Sequence, residues 1–146
     1  MKDLKAEIFL KVEEYFNSKE IVSNDKIGVA YPCFDHKEVN QALDSLLDLW
    51  ISQGPKVKLF EKSFSEYIGT KYGVACNSGS SANLLALSAL IKCGKLKPGS
   101  EVIVPAATFT TVISPILQNG LVPVFVDVEM DTYNICPKSI EEAITP

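Results

Sequence analysis

Residues 74–87 read Val74-Ala75-Cys76-Asn77-Ser78-Gly79-Ser80-Ser81-Ala82-Asn83-Leu84-Leu85-Ala86-Leu87, an apolar run that passes through small polar residues straight into a helical pattern. Such a junction binds anions. The first N–H groups of a helix have no partner inside it, and the helix dipole places partial positive charge at the same end. The hydroxyls of Ser78, Ser80 and Ser81 add donors there, and Gly79, lacking a Cβ, lets the backbone approach a phosphate closely. On spacing alone the same residues serve equally well as a helix cap. They form neither a P-loop nor a G-x-G-x-x-G turn, because no Lys follows in the Walker position and the glycine spacing is absent, which disfavours a dinucleotide site.

A second segment, Pro105-Ala106-Ala107-Thr108-Phe109-Thr110-Thr111, follows the next expected strand, where ligands of parallel α/β sheets collect. Phe109 could cover a flat cofactor there, or fill the inner face of its own helix. Metal chemistry has no support in the spacing. Cys33, Cys76, Cys93 and Cys136 contain no C-x-x-C pair and have only His36 to join them, which argues against zinc and against a disulfide framework. They are expected to be small buried hydrophobes, and His36 an exposed residue in the first turn of a helix.

The elements that position these segments follow from periodicity. Leu4, Ile8, Val12 and Tyr15 or Phe16 recur at helical spacing. Asn24 to Pro32 has no helical period and reads as an extended connector. A second helix is expected from Asp35, capped by it with Glu38 reaching back, through Val39, Leu43, Leu46 and Trp50. Val57, Phe60, Phe64 and Tyr67 or Ile68 form a third stripe closed by Gly69. From Tyr72 the character changes: Gly73 to Cys76, Val102 to Pro105 and Val122 to Val128 are short apolar runs of the kind buried on both faces of a parallel sheet. Ala82 to Ile91 and Phe109 to Gln118 are the expected crossover helices, and Pro137 opens a last one over Ser139 to Ile144. The fold class is therefore α/β, with amino-terminal helices followed by a β-α-β-α-β portion of a mainly parallel sheet. Three strands make a narrow sheet, so the chain reads as the first part of a longer one.

The 146 residues are 47% hydrophobic and 22% charged, the balance of a globular domain rather than a disordered chain. Fourteen basic against eighteen acidic residues give a net charge of −4 with no basic block, which makes nucleic acid an unsuitable partner. No apolar stretch is long enough for a bilayer, and Asp3, Lys5 and Glu7 stand where an export signal would be apolar, so the expected setting is cytoplasmic.

Gly54-Pro55-Lys56-Val57, Phe60-Glu61, Tyr67-Ile68-Gly69, Asn77-Ser78-Gly79-Ser80-Ser81-Ala82, Pro98-Gly99-Ser100-Glu101-Val102-Ile103-Val104-Pro105, Pro123-Val124-Phe125-Val126-Asp127-Val128 and Asp131-Thr132-Tyr133-Asn134 resemble, in order, the DegT family of sugar-nucleotide enzymes. The likeness covers about the last two-thirds of the chain. It implies part of the fold-type-I large domain, with residues 1–70 a helical lead-in and 71–146 the first part of a cofactor-binding α/β domain. It also implies that pyridoxal 5′-phosphate or pyridoxamine 5′-phosphate is bound, with Gly79, Ser80 and Ser81 holding the phosphate and Phe109 stacking on the ring. The Asp that pairs with the ring nitrogen and the Lys that binds the cofactor covalently match family regions beyond position 146, and no residue here replaces them; Asp127 matches a structural Val-Asp-Val segment.

Ser80 to Leu87 and Thr110 to Pro123 look more like the sugar 3-dehydrase branch, which uses pyridoxamine phosphate, carries His in place of that Lys and works with an iron–sulfur reductase. The implied substrate is a nucleotide-linked keto-sugar and the implied assembly a homodimer. The alternative is a catalytically inactive chain that serves only as a phosphate-binding or assembly module.

Overall fold

The computed structural model describes residues 3–19 and 33–145; the expected connector at Asn24 to Pro32 falls outside them. The chain divides into two compact units, Met1–Gly73 and Val74–Pro146.

The first unit holds three helices: α1 (Leu4–Asn17), α2 (His36–Leu47) and α3 (Pro55–Ile68). Asp3 caps α1, its carboxylate accepting the N–H groups of Lys5 and Ala6. The half-buried apolar residues of α1 are Phe9, Val12 and Phe16, spaced to lie on one face, while Leu4 and Ile8 line an open groove with Tyr15 and Val39. The Phe16 ring meets Phe34 edge-on, with centroids 6.2 Å apart. Asp35 and Glu38 form the expected capping box at the start of α2.

That helix stops at Leu47 rather than reaching Trp50, because Leu49 turns into the left-handed region at φ 60° and the N–H of Trp50 bonds back to the Ser45 carbonyl at 2.8 Å. Gly54 precedes Pro55 at the start of α3, and a Cβ on it would meet the Trp50 ring at 2.9 Å. Gly69 closes α3 at φ 78°.

The second unit contains α4 (Gly79–Lys92), β1 (Glu101–Pro105), α5 (Thr110–Gln118), β2 (Val122–Val126) and α6 (Pro137–Ala143). The strands β1 and β2 run parallel, with Val104 opposite Phe125. Val104, Ile116 and Leu121 form the buried centre, and Leu87, Ile91, Leu96, Val102, Val112 and Ile113 pack around it. Ile116 is 1% exposed, a burial that contributes roughly 1.5–3 kcal/mol.

Two expectations about strands change. The run Gly73 to Cys76 precedes α4 without regular structure and is no part of the β1–β2 sheet, and Val74 is 71% exposed. An apolar run becomes a strand only where a neighbour completes the ladder, so among the described residues the sheet has two strands. In addition, β2 ends at Val126, and Val128 instead bridges Ile135 antiparallel, folding the chain between them into a compact loop.

Candidate cofactor-phosphate site

The turn into α4 is a helix N-cap with an open side. Ser78 is the cap, with φ −163° and ψ 162°, and its Oγ accepts the N–H of Ser81 at 3.2 Å. Its hydroxyl also lies 3.1 Å from Ser81 Oγ, and its carbonyl takes the N–H of Ala82. This leaves the N–H groups of Gly79 and Ser80, the first two of the helix, as its uncommitted donors. A Cβ built on Gly79 would meet nothing within 4 Å, so the glycine borders open space rather than packed protein. Capping therefore leaves room for an anion: one hydroxyl serves the cap while two amides and the Ser80 hydroxyl remain exposed.

Phe109 lies just before α5, the helix that connects β1 to β2. It is the cap residue of α5 rather than its first helical residue, with ψ 146°, and it is 81% exposed. The core reading of Phe109 is thereby excluded within this unit. Its position follows from Thr110 and Thr111, which open a helix with no side-chain cap. Asn83 Nδ2 donates to the Thr111 carbonyl at 3.3 Å, and Ser88 Oγ lies 2.9 Å from Asn119 Oδ1. These contacts join early residues to early and late to late, so α4 and α5 run side by side in the same direction. Their positive ends lie together. Between them a shallow cleft of about 240 Å³ is lined by Ser80, Ser81, Leu84, Thr111, Ser114, Pro115 and Gln118.

Sequence reasoning singled out Gly79, Ser80, Ser81 and Phe109 but missed the tie made by Asn83. Its signal was Pro115, four residues after Thr111, since a proline inside a helix leaves the carbonyl four residues earlier without its donor.

Other expectations are corrected. Cys33, Cys76 and Cys93 are exposed and Cys136 half-buried, because all four stand at the ends of elements rather than on a core face. All are free thiols. Hydrogen bonds from the Ser139 backbone and hydroxyl hold the Cys136 thiol below its ordinary pKa. His36 is half-buried, not solvated: its Nε2 lies 3.7 Å from Glu13 and its Nδ1 3.7 Å from Asp35. Among the described residues no cluster of His, Cys, Asp and Glu could hold a metal ion, and no helix is long and apolar enough to cross a membrane.

In this parallel α/β unit two helix N-termini are gathered at one end, an arrangement at which anions bind in other α/β proteins. Residues 32–146 match the DegT/DnrJ/EryC1/StrS aminotransferase family, and the chain belongs to that family. It is 50% identical over 113 residues to the lipopolysaccharide biosynthesis protein RfbH of Salmonella typhimurium, covering 75% of this chain and 26% of the relative. It is 42% identical over 127 residues to the GDP-4-keto-6-deoxy-D-mannose 3-dehydratase of Yersinia pseudotuberculosis, covering 82% and 32%. The solved E. coli GDP-4-keto-6-deoxy-D-mannose-3-dehydratase with bound hydrated PLP superposes with a TM-score of 0.74 at 40% identity, over 82% of this chain and 31% of that one. The chain thus spans between a quarter and a third of the length of these relatives.

Proposed function

We propose that these residues supply the phosphate-holding and ring-stacking part of a pyridoxal- or pyridoxamine-phosphate-dependent enzyme acting on nucleotide-linked keto-sugars. The observation that carries this reading is the Ser78–Ser81 turn. Its two uncommitted amides, its open side at Gly79 and its neighbour Ser80 are the donor set that a phosphate monoester dianion requires.

Gly79, Ser80 and Ser81 hold the phosphate, and the exposed Phe109 ring covers one face of the pyridine. When bound, the cofactor supplies the electron sink that lets bonds next to a sugar carbon break. The protein's part is to fix the cofactor's two ends and to keep one ring face from water.

Relatives named as GDP-4-keto-6-deoxy-D-mannose 3-dehydratases favour the dehydrase branch over plain aminotransfer; an iron–sulfur reductase as partner enters this reading through the family resemblance, not through those relatives. A homodimer is part of the same reading. It is supported by the apolar residues left exposed in the first unit, Leu49 at 85% and Ile51 at 88% among them, a surface of the kind that association covers.

The experiment is a titration of the full chain with pyridoxamine 5′-phosphate, followed by the fluorescence of the ligand, with inorganic phosphate as competitor. Saturable binding displaced by phosphate is expected. Binding that phosphate leaves untouched would reduce the turn to a helix cap.

A further inference from the structure

Pro115 lies inside α5, is buried, and has no N–H to give to the Thr111 carbonyl four residues before it. A carbonyl released in this way is open to another donor, from solvent or from a neighbouring side chain. The donor is Asn83, whose Nδ2 reaches Thr111 O at 3.3 Å from the neighbouring helix. Asn83 stands four residues after Gly79 and three after Ser80, hence above the phosphate turn on the same side of α4. Thr111 stands two residues after Phe109. A single side-chain bond therefore links the segment that would grip the phosphate to the segment that carries the ring.

Leu87, Ile91, Val112 and Ile113 pack α4 and α5 around Ile116, but the Phe109 side chain takes no part in that core. Its ring is 81% exposed, and α5 begins without a side-chain cap. The second tie between these helices, Ser88 to Asn119, lies at their far ends.

From this we infer that Asn83 is a positioning residue: by capturing the carbonyl that Pro115 frees, it sets the distance between the phosphate turn and the Phe109 ring, and so selects a ligand that carries a phosphate and a flat ring at that separation. The inference rests on the cofactor reading given above. It assigns Asn83 no contact with the ligand.

The test uses the full chain and two probes, pyridoxamine 5′-phosphate, which spans both segments, and inorganic phosphate, which touches only the turn. Asn83→Ala should weaken pyridoxamine 5′-phosphate about three- to tenfold, the range of one hydrogen bond, and change the fluorescence of the bound ring. Phosphate affinity should stay within about twofold of the parent. Ser88→Ala, which removes the far tie, should leave both affinities unchanged.

The decisive variant is Asn83→Ala with Pro115→Ala, in which residue 115 regains the N–H that Thr111 needs. It should recover the melting temperature lost in Asn83→Ala without recovering pyridoxamine 5′-phosphate affinity. Recovery of both would show that Asn83 merely satisfies a carbonyl, and parental pyridoxamine 5′-phosphate affinity in Asn83→Ala alone would overturn the inference outright. If the parent itself binds neither probe, the cofactor reading falls and the positioning role falls with it, an outcome distinct from the other two.

Discussion

Asp44 holds Lys56 through one carboxylate oxygen at 2.7 Å and Lys5 through the other at 2.5 Å, so a single side chain on α2 ties down both α3 and α1. Lys56 is further anchored on the Gln41 carbonyl at 2.6 Å and on Gln41 Oε1 at 2.8 Å. Hydrogen bonds from Lys5 and then from Lys56 bring the Asp44 pKa down from 3.8 to about 2. A carboxylate with a depressed folded-state pKa contributes stability that is present above its unfolded value and lost as pH falls through the folded one. Thermal melts should therefore drop between about pH 4 and pH 2. Asp44→Asn should melt lower than the parent at pH 7 and show a smaller drop across that window. Equal acid sensitivity in both proteins would assign the drop to other groups. Lys5, whose pKa is raised by its bonds to Asp44 and Asp48, acts at the opposite limit: its contribution is present below its ordinary value of 10.5 and lost as pH climbs past the raised one.

Gly79 separates folding from ligand binding. A methyl group there meets nothing within 4 Å, and alanine is the better helix former by up to about 1 kcal/mol, so Gly79→Ala should melt at or slightly above the parent temperature. The same methyl group enters the open side of the cradle, and pyridoxamine 5′-phosphate affinity should fall. A variant that is more stable and binds equally well would show that the glycine has no ligand to accommodate.

The parts of the fold legible in the sequence were those written in local chemistry. Asp35 with Glu38 and Pro137 at helix starts, and Gly69 at a left-handed position after a helix, each specify their neighbours' backbone without help from distant residues. What depends on a partner elsewhere was not legible. The Gly73 to Cys76 run has strand composition, but a ladder needs a second strand beside it. Leu49 turns left-handed where a glycine signal was absent, and the extrapolated helix overran it. Gly79, Ser80, Ser81 and Phe109 could be singled out by residue type, whereas the link through Asn83 required knowing that α4 and α5 run side by side.

Phe109 tests the ring contact. Because its side chain is 81% exposed, Phe109→Ala should change stability by no more than about 0.5 kcal/mol, the usual size for an exposed substitution. Pyridoxamine 5′-phosphate binding should weaken by about 0.5–1.5 kcal/mol from the lost stack, and Phe109→Tyr should retain it. The comparison is made with inorganic phosphate, which has no ring and should bind the parent and both variants alike.

Ser80 and Ser81 divide the work of the turn unevenly. Ser81 donates its amide to the cap and lies beside the Ser78 hydroxyl, whereas Ser80 makes no such contact and faces the cleft. Replacing both by Ala should weaken cofactor binding by about 1–3 kcal/mol, from lost charge-assisted bonds, without abolishing it, because the helix amides remain. Of the single variants, Ser80→Ala should account for the larger share of the affinity loss and Ser81→Ala for the larger share of any fall in melting temperature.

The cleft between α4 and α5 also limits what these residues can catalyse. Its lining, Ser80, Ser81, Leu84, Thr111, Ser114, Pro115 and Gln118, contains no group that exchanges a proton near neutral pH. Asp127, the acid that follows β2, accepts the N–H of Val128 on one oxygen at 2.8 Å and belongs to the turn after the strand. Chemistry beside a sugar carbonyl needs a positioned acid or base, and such a group typically contributes 10²–10⁴-fold. Residues 1–146 expressed alone should therefore bind pyridoxamine 5′-phosphate but convert no nucleotide-linked keto-sugar to either an amino or a deoxy product. The measurement is product formation by chromatography at micromolar protein over hours. Turnover above the rate with cofactor alone would mean that a base within these residues reaches the ligand, and substitution of Asp127, His36 and the lysines in turn would identify it.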